Sequence, residues 1–340
     1  MVRIEDIAER LNVSKGTVSK ALNGAADVSE TLRKLIVETA VEMGYTRIKR
    51  QSDAPRIVIF VINMECSQPG DFGYDIVMGF RKMAVPAGFD VSIEPLSEEL
   101  QENSFYDAYM MEHRYAGAFF LGLSLSDRWL FQLQTSRTPA VLLDNQVKAN
   151  PTTAYVGIDN QEGIDLAIEY LKACGHENIG YLSGTLGSYI NQARHTAFFQ
   201  SLRKNGLRSN PSLSGSSYHF AECIQTHLPL LLQQNVTAIL CNHDLLAHSV
   251  MLHCQELGLR VPEDISIIGF DDLPLCAYTQ PPLTTIRQNR TEIGKSAFYA
   301  LNSLINEVPI STLLLHAAFV KRQSAGPAPQ TAPSYRLRQF

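Results

Sequence analysis

The chain carries at residues 13–24 the sequence VSKGTVSKALNG, which decides how its first part folds. Apolar side chains recur with helical spacing in two short segments around it, 4–11 and 18–22. Ser14 is a favourable N-cap for the second segment, and Asn12 tolerates the left-handed backbone of a tight turn. A glycine ends the stretch, as glycine commonly ends helices. Two short helices joined in this way predict a helix-turn-helix.

A third helix is predicted over 29–43, with Ser29 as its cap and Gly44 after its end. Its apolar residues keep helical spacing and can close a three-helix head. The segment that follows, 46–56, is basic and has no apolar period. It is either a solvated linker or a basic arm that lies on DNA, and both descriptions can hold together.

The charge of the chain is unevenly placed. Residues 1–50 hold nine Lys or Arg and seven Asp or Glu, whereas the remaining 290 hold 20 and 27. A slightly basic head on an acidic body indicates that the head meets phosphate and the body does not. The six cysteines have no metal-ligand spacing, which favours buried, reduced thiols in a cytosolic protein with no metal site and no cofactor.

The amino terminus has acidic residues where a signal peptide needs an apolar run, and no later segment reaches the length of a membrane span. We therefore expect a soluble, cytoplasmic protein with no membrane partner.

From residue 57 the pattern changes to alternating strands and helices, with a helix predicted over 72–85. Continuous apolar runs are typical of parallel strands buried on both faces. Two series of strands are expected, at 57–62, 89–93, 118–123 and 140–143, and then at 155–158, 179–182, 238–241 and 265–270. This alternation predicts two α/β subdomains with parallel sheets, and a ligand in the cleft at the carboxyl ends of their strands.

The motifs of the head and of the body together resemble the LacI/GalR family of bacterial transcriptional regulators. The head contains IEDIAERLNVSKGTVSKALNG, VSE and ETAVEMGY, and the body contains GHENIGYLSG at 175–184, GLRVPEDISIIGFDD at 258–272 and PPLTTIRQN at 281–289. The resemblance spans residues 4–325 in family order. It implies an all-α three-helix head, a body like a periplasmic binding protein, and a homodimeric repressor of palindromic double-stranded operator DNA that a small effector switches.

Four parts are expected along the chain. They are a helix-turn-helix DNA-binding domain at 1–45, a short basic hinge at 46–56, an effector-binding and dimerisation domain of two α/β subdomains at 57–323, and a disordered tail at 324–340. Relatives usually have a longer hinge, with a helix whose Leu wedges into the minor groove. Only Ile48 is available here as a wedge, so we predict that the usual hinge helix does not form. The proline-rich tail lacks a leucine heptad, which disfavours a tetramerising coiled coil.

The second helix of the head is expected to enter the major groove of DNA with its N-terminal residues at the base edges. The resemblance places base readers at Lys15, Gly16 and Lys20, and lysine can reach guanine acceptors. Hydroxyl groups near the helix start suit phosphate. The predicted DNA-binding residues are Ser14, Lys15, Gly16, Thr17, Ser19, Lys20, Asn23, Tyr45, Arg47, Lys49 and Arg50.

The resemblance also implies a set of effector-binding residues: an aromatic segment after the first strand, carboxylates at strand ends, and an arginine. The predicted residues are Phe72, Tyr74, Asp144, Arg194, His243 and Asp271. His243 stands where the family typically has Asn, whose amide both donates and accepts hydrogen bonds. The set favours a polar, hydroxylated ligand such as a sugar or sugar derivative, and leaves induction and co-repression equally open.

Two other classes of protein fit the sequence less well. A transport-type binding protein accounts for the body alone but needs a signal peptide, which the sequence lacks. An α/β enzyme needs a catalytic motif, and the chain has no GxSxG, P-loop, strand-linked GxGxxG or HExxH. We therefore predict no catalytic residue.

Overall fold

The computed structural model describes residues 2–25, 27–45 and 54–330 of the 340-residue chain. The chain forms two compact units. The first contains Met1–Val156 and Thr291–Leu313, and the second contains Gly157–Arg290 and Leu314–Phe340. The chain therefore passes between the two units three times.

The head consists of three short helices, α1 (Ile4–Leu11), α2 (Lys15–Leu22) and α3 (Glu30–Glu42). Asn12 adopts the predicted left-handed backbone, with φ 52°. The Ser14 hydroxyl accepts a hydrogen bond from the Thr17 amide at 3.0 Å, and Ser29 caps α3. The head core consists of Ile7, Ala8, Val18, Ala21, Val28, Ile36, Ala40 and Tyr45. The predicted helix-turn-helix and its third helix are confirmed.

The rest of the described chain alternates strands and helices. The strands are β1 (Arg56–Val61), β2 (Asp90–Pro95), β3 (Tyr115–Leu121), β4 (Ala140–Leu143), β5 (Thr153–Ile158), β6 (Ile179–Ser183), β7 (Ser214–Ser216), β8 (Ala238–Cys241), β9 (Ser266–Asp271), β10 (Thr284–Arg287), β11 (Thr312–Leu315) and β12 (Ala318–Val320). The helices are α4 (Phe72–Ala84), α5 (Glu98–Asn103), α6 (Tyr106–Glu112), α7 (Arg128–Gln132), α8 (Asn160–Ala173), α9 (Tyr189–Lys204), α10 (Phe220–Gln233), α11 (Asp244–Glu256) and α12 (Arg290–Ile305).

These strands form two six-stranded sheets. The first has the order β11-β5-β4-β3-β1-β2, and the second has the order β12-β10-β9-β8-β6-β7. Pairing is parallel from β2 to β5 in the first sheet and from β7 to β10 in the second, where β12 joins β10 antiparallel. Their continuous apolar runs are buried as expected, which confirms the predicted α/β class with parallel sheets.

Four strands of the sheets were not predicted: β7, β10, β11 and β12. Three of them, β7, β11 and β12, lie at sheet edges, where one side is open and an apolar run is not required. The fourth, β10, is buried, but its sequence TTIR begins with two threonines and so lacks the continuous apolar run of the other buried strands.

The structure differs from the predicted tail boundary at residue 324. Ser324 is fully buried, where its hydroxyl donates to the Ile267 carbonyl at 2.6 Å and accepts from the Thr284 amide at 2.8 Å. His176 bonds through Nε2 to the Gly326 carbonyl at 3.0 Å. Residues 324–330 thus pack on the second sheet, and 331–340 lie outside the described residues. Residues 46–53 also lie outside the described residues, and with them Ile48 and the prediction that the usual hinge helix does not form.

All six cysteines are free thiols, and four of them are buried: Cys223, Cys241, Cys254 and Cys276. In the described part of the chain, no three His, Cys, Asp or Glu side chains come together as metal ligands. None of the helices in the described ranges has the length and hydropathy that a bilayer crossing requires.

Candidate DNA-reading surface and effector site

Helix α2 presents a solvent-facing side formed by Lys15, Gly16, Ser19 and Lys20, here called the reading face. Both lysines are more than half exposed, as predicted. Each already contacts a carboxylate: Lys15 lies 2.8 Å from Glu5, and Lys20 pairs with Asp27. The lysine contact lowers the pKa of each carboxylate. Because these pairs are exposed to water, phosphate or base acceptors can compete for the lysines.

Gly16 occupies the second position of α2, where the head itself does not require a glycine. A Cβ atom there would meet only the Ser14 hydroxyl, at an ordinary 3.5 Å, and the backbone has no left-handed φ. Glycine in a helix costs about 0.5–1 kcal/mol relative to alanine. The structure of the head therefore does not account for the glycine, and the close approach of Gly16 to DNA stays a prediction.

Asn23 ends α2 and bonds back to it, since its Nδ2 donates to the Ser19 carbonyl at 2.7 Å and contacts the Ser19 hydroxyl at 3.2 Å. Ser14 and Thr17 share a hydroxyl contact of 2.9 Å at the start of the helix. Ser14, Thr17 and Asn23 border the reading face, to which Ser19 belongs, and the DNA contacts of all four residues stay predictions.

Tyr45 does not lie on the DNA-facing surface where it was predicted. Its side chain is only 7% exposed and packs in the head core beside Ile36 and Ala40. A tyrosine next to a basic segment is compatible with a DNA-facing surface or with the head core, and in this structure its ring packs in the core. The other predicted contacts of the arm, Arg47, Lys49 and Arg50, lie outside the described residues.

The head contacts the rest of the first unit through the end of α3. Arg137, in the loop before β4, donates from Nη1 to the Gly44 carbonyl at 3.0 Å. Asp107 of α6 holds this loop by accepting bonds from the Ser136 hydroxyl at 2.6 Å and from the Arg137 and Thr138 amides at 3.2 Å. Arg137 is therefore positioned by the sheet-bearing part of the unit and directed at the head.

Apolar packing accompanies this polar contact. Met111 of α6 packs against the head core, and α3 lies along α6. A cavity of about 110 Å³ lies at the junction, lined by Val41, Gly44, Tyr45, Asp107, Met111, Tyr115, Ala116, Arg137, Thr138 and Pro139. The docked side of the head is thus α3, and Lys15 and Lys20 stay exposed.

In the second unit, Arg194 of α9 is a buried cation, only 4% exposed. Its Nε donates to the Asn160 side chain at 2.9 Å and its Nη1 to the Asn242 carbonyl at 2.5 Å. The guanidinium carbon lies 3.7 Å from the centroid of the Phe270 ring, a cation–π contact. Buried charge is costly unless it is paired in this way.

The counter-charge is Asp271, the last residue of β9, whose Oδ1 lies 3.6 Å from Arg194 Nη1. Gln288 donates to the same oxygen at 2.6 Å. Burial raises the pKa of Asp271 to about 6, and Arg194 opposes that rise. Its φ of 117° lies in the left-handed region that ordinary residues avoid, which is typical of functional sites.

Asp244, the first residue of α11, is a second buried carboxylate nearby. It accepts hydrogen bonds from the Thr285 hydroxyl at 2.5 Å and the Leu273 amide at 2.8 Å. Burial and the charge of Asp271 raise its pKa to about 7. Both oxygens of Asp244 accept hydrogen bonds from protein groups, so we infer that Asp244 stabilises the loop after β9.

His243 is the N-cap of α11, and its Nδ1 accepts the Leu246 amide at 3.1 Å. Its ring lies 4.6 Å from the Phe220 ring, at 47° between planes. Burial, and secondarily the charge of Arg194, lower the pKa of His243 to about 4, so the ring is neutral near pH 7.

Two buried amide oxygens in this region accept no hydrogen bond in the described structure: Asn242 Oδ1 and Gln288 Oε1. Their residues are 1% and 3% exposed. An unpaired buried acceptor costs about 1–3 kcal/mol of free energy, so a ligand that donates a hydrogen bond to either oxygen would recover that energy. We call Arg194, Asn242, His243, Asp271 and Gln288 the effector cluster.

The other predicted effector residues lie in the first unit. Phe72 and Tyr74 are half-buried in the first turn of α4, and Asp144 follows β4 with φ 51°. Both places lie at the carboxyl edge of the first sheet, where α/β proteins bind ligands. Their role in effector binding stays a prediction.

The structure brings together three of the predicted effector-binding residues, Arg194, His243 and Asp271. The sequence alone did not indicate Asn160, Asn242, Gln288, Phe220 and Phe270. The position of Asn242 directly after β8, at the same strand edge as Asp271, was a signal that could have found it.

A helix-turn-helix head joined to two parallel α/β sheets, with a buried polar cluster at the strand ends of one of them, defines a DNA-binding regulator with a ligand-binding body. Comparison with known proteins agrees with that class. Residues 3–47 match the model of bacterial regulatory proteins of the lacI family, and residues 168–325 match the periplasmic binding protein-like domain.

Individual relatives extend over nearly the whole chain. The HTH-type transcriptional repressor PurR of Aliivibrio salmonicida is 29% identical over 311 residues, which cover 90% of this chain and 93% of that protein. The HTH-type transcriptional repressor CytR of Escherichia coli K12 is 29% identical, with 88% of each chain covered. The solved lac repressor dimer bound to operator and the anti-inducer ONPF is 25% identical and superposes with a TM-score of 0.65 over 96% of this chain and 99% of that one.

The chain thus combines a DNA-binding domain of the lacI type with a periplasmic binding protein-like domain, and its relatives over nearly the whole length are HTH-type transcriptional repressors. It is a DNA-binding regulator and not an enzyme.

Proposed function

We propose that this protein represses transcription as a homodimer on a palindromic operator, and that a small hydroxylated molecule held by the effector cluster changes its operator affinity. A single head covers little DNA, since one such module buries about 600–1,000 Å² of protein surface. Two heads related by a two-fold axis match a palindrome. Because operator DNA is in the bacterial cytoplasm, this function places the protein there.

The observation that carries the effector proposal is the pair of unpartnered, buried oxygens on Asn242 and Gln288, next to the Arg194–Asp271 pair. A ligand that supplies hydroxyl donors satisfies the oxygens, and Arg194 and His243 favour oxygen acceptors on the same molecule. Sugars and sugar acids present both kinds of group on adjacent carbons.

Regulation follows from differential binding. An effector changes operator affinity only as far as it binds one conformation of the protein better than another, and such coupling is commonly about 1–3 kcal/mol. The sign of the coupling, induction or co-repression, is an outcome of the experiment below.

The test is a thermal-shift screen of sugars, sugar phosphates, uronic acids and nucleosides, followed by gel retardation on DNA from the protein's own upstream region. We expect a sugar-type compound to raise the Tm and to change operator retardation. Arg194→Ala should keep operator binding and lose the response, while Arg203→Ala, an exposed arginine of the same helix, should keep both. A normal effector response in Arg194→Ala would contradict the assigned site.

A further inference from the structure

The imidazole of His243 is held in one tautomer by the local fold. As the N-cap of α11, it accepts the Leu246 amide hydrogen at Nδ1, 3.1 Å away. A neutral imidazole carries one proton, and the nitrogen that accepts a hydrogen bond is the one without it. The proton therefore sits on Nε2.

The ring is also fixed in orientation and charge. The Phe220 ring lies 4.6 Å away on one side, and Arg194 is near enough for its charge to disfavour the imidazolium. Within the described ranges, Nε2 has no protein acceptor, and the side chain is only half-buried. His243 thus offers an approaching ligand a donor and no acceptor.

Two amide oxygens of the effector cluster need hydrogen-bond donors, whereas His243 needs an acceptor. Asn242, the preceding residue, and Gln288 offer bare acceptor oxygens. A molecule that fits the effector cluster must therefore direct donors at the two amides and an acceptor at His243. An asparagine at this position would impose no such order, because its capping amide oxygen keeps a second lone pair beside its N–H donors and can therefore both accept from and donate to the ligand.

We propose, on the basis of the effector function proposed above, that His243 is a specificity-determining residue that selects effectors by an oxygen acceptor. A hydroxyl, carbonyl or carboxylate oxygen accepts from Nε2–H. An amino group in the same place sets a donor against a donor and leaves Nε2–H unpaired, at a cost of about tenfold or more in affinity.

The tautomer is tested by nuclear magnetic resonance on protein labelled with ¹⁵N-histidine, using two-bond correlations of ring nitrogens and carbon-bound protons. His243→Asn identifies the signals, and asparagine preserves the N-cap. His219→Asn is the matched control, because His219 caps α10 without a side-chain bond. We expect His243 to be fixed with Nε2 protonated at pH 7. A protonated Nδ1, an equal mixture of tautomers or an imidazolium would overturn the proposal.

Selectivity is tested with D-glucose, D-galactose and their amino-deoxy analogues at each ring carbon, by titration calorimetry on the full-length dimer. For the sugar that binds, we expect one amino analogue to bind at least about tenfold more weakly to the wild type. In His243→Asn that ratio should fall to about threefold or less. An unchanged ratio in His243→Asn, or tighter binding of every amino analogue, would refute selection by His243.

The two proposals fail separately. If no sugar-type compound raises the Tm in the thermal-shift screen, the effector class proposed above is contradicted, while the tautomer spectrum still tests the fixed donor at His243. If sugars bind equally well to Arg194→Ala, the assigned effector cluster is wrong whatever the spectrum of His243.

Discussion

Arg137 Nη1 lies 3.0 Å from the carbonyl oxygen of Gly44, and this hydrogen bond joins the loop before β4 to the residue that follows α3. The approach is so close that a Cβ atom on Gly44 would fall 2.1 Å from the same nitrogen, and Gly44 has φ 79°. The head is therefore held by a polar contact at a position whose left-handed backbone favours glycine, together with the packing of Met111.

Removal of this bond should loosen the head without unfolding it. In Arg137→Ala we expect faster amide hydrogen exchange in 41–45 and weaker operator binding, because the head must then be ordered when DNA binds. Arg208→Ala is the control, since Arg208 is an exposed arginine of the second unit that donates to the Gln234 side chain. Equal exchange in both variants would show that the contact does not hold the head.

Gly16→Ala should stabilise the head and impair its function. Alanine favours the helix by about 0.5–1 kcal/mol, and the head has room for the new methyl group. The methyl group then stands between α2 and the groove, so we expect at least tenfold weaker operator binding. Amide exchange of α2 and gel retardation measure the two effects. Unchanged operator affinity would show that Gly16 does not approach DNA.

Lys20→Ala should reduce sequence discrimination more than general affinity for DNA. A lysine contact with guanine acceptors is worth about 1–3 kcal/mol of discrimination, whereas a phosphate contact acts on every sequence alike. Competition between operator and scrambled duplexes measures the ratio. Lys204→Ala, which removes an exposed lysine paired with Asp165 in the second unit, should leave the ratio unchanged. A uniform loss on both duplexes would assign Lys20 to phosphate.

The neutral state of His243 should appear as a pH-dependent stability. Its pKa of about 4 in the folded protein lies below the ordinary 6.5, so its contribution is present above pH 6.5 and is lost as the pH falls towards 4. At pH 5 the loss is about 2 kcal/mol relative to pH 8.

Asp244 and Asp271 act in the opposite direction, because their pKa values are raised to about 7 and about 6. Their contribution is greatest at low pH and declines as the pH rises through those values. The informative quantity is thus the difference in unfolding free energy between wild type and His243→Asn, measured in urea at pH 8, 6.5 and 5. We expect this difference to shrink as the pH falls, and a constant difference would contradict a neutral His243.

Much of this architecture could be predicted from single residues and their spacing. The helices of the head carry caps such as Ser14, and the buried strands are continuous apolar runs, so both have local signatures. The strand β10 has none, because it begins with two threonines, Thr284 and Thr285, whose side chains are buried through hydrogen bonds with residues distant in sequence.

The effector cluster was only partly predictable for a similar reason. Charged side chains such as Arg194 and Asp271 stand out at strand ends and in family motifs. Asn242 and Gln288 carry no charge, and their amide oxygens stand out only because no donor reaches them in the described part of the folded protein. The prediction that Tyr45 contacts DNA is not supported, because its ring is buried in the head core together with Ile36. The spacing of residues in the sequence does not indicate this burial.

The bonds of Arg194 reach three separate segments of the second unit: Asn160, Asn242 and Asp271. A residue tied so widely cannot change without disturbing all three at once. A substitution that alters the effector preference should therefore be better tolerated at neighbours with fewer bonds, such as His243 and Phe220, than at Arg194. Divergence among proteins built on this framework should be concentrated at such positions, and exchanges there are the place to begin when the ligand is to be altered by design.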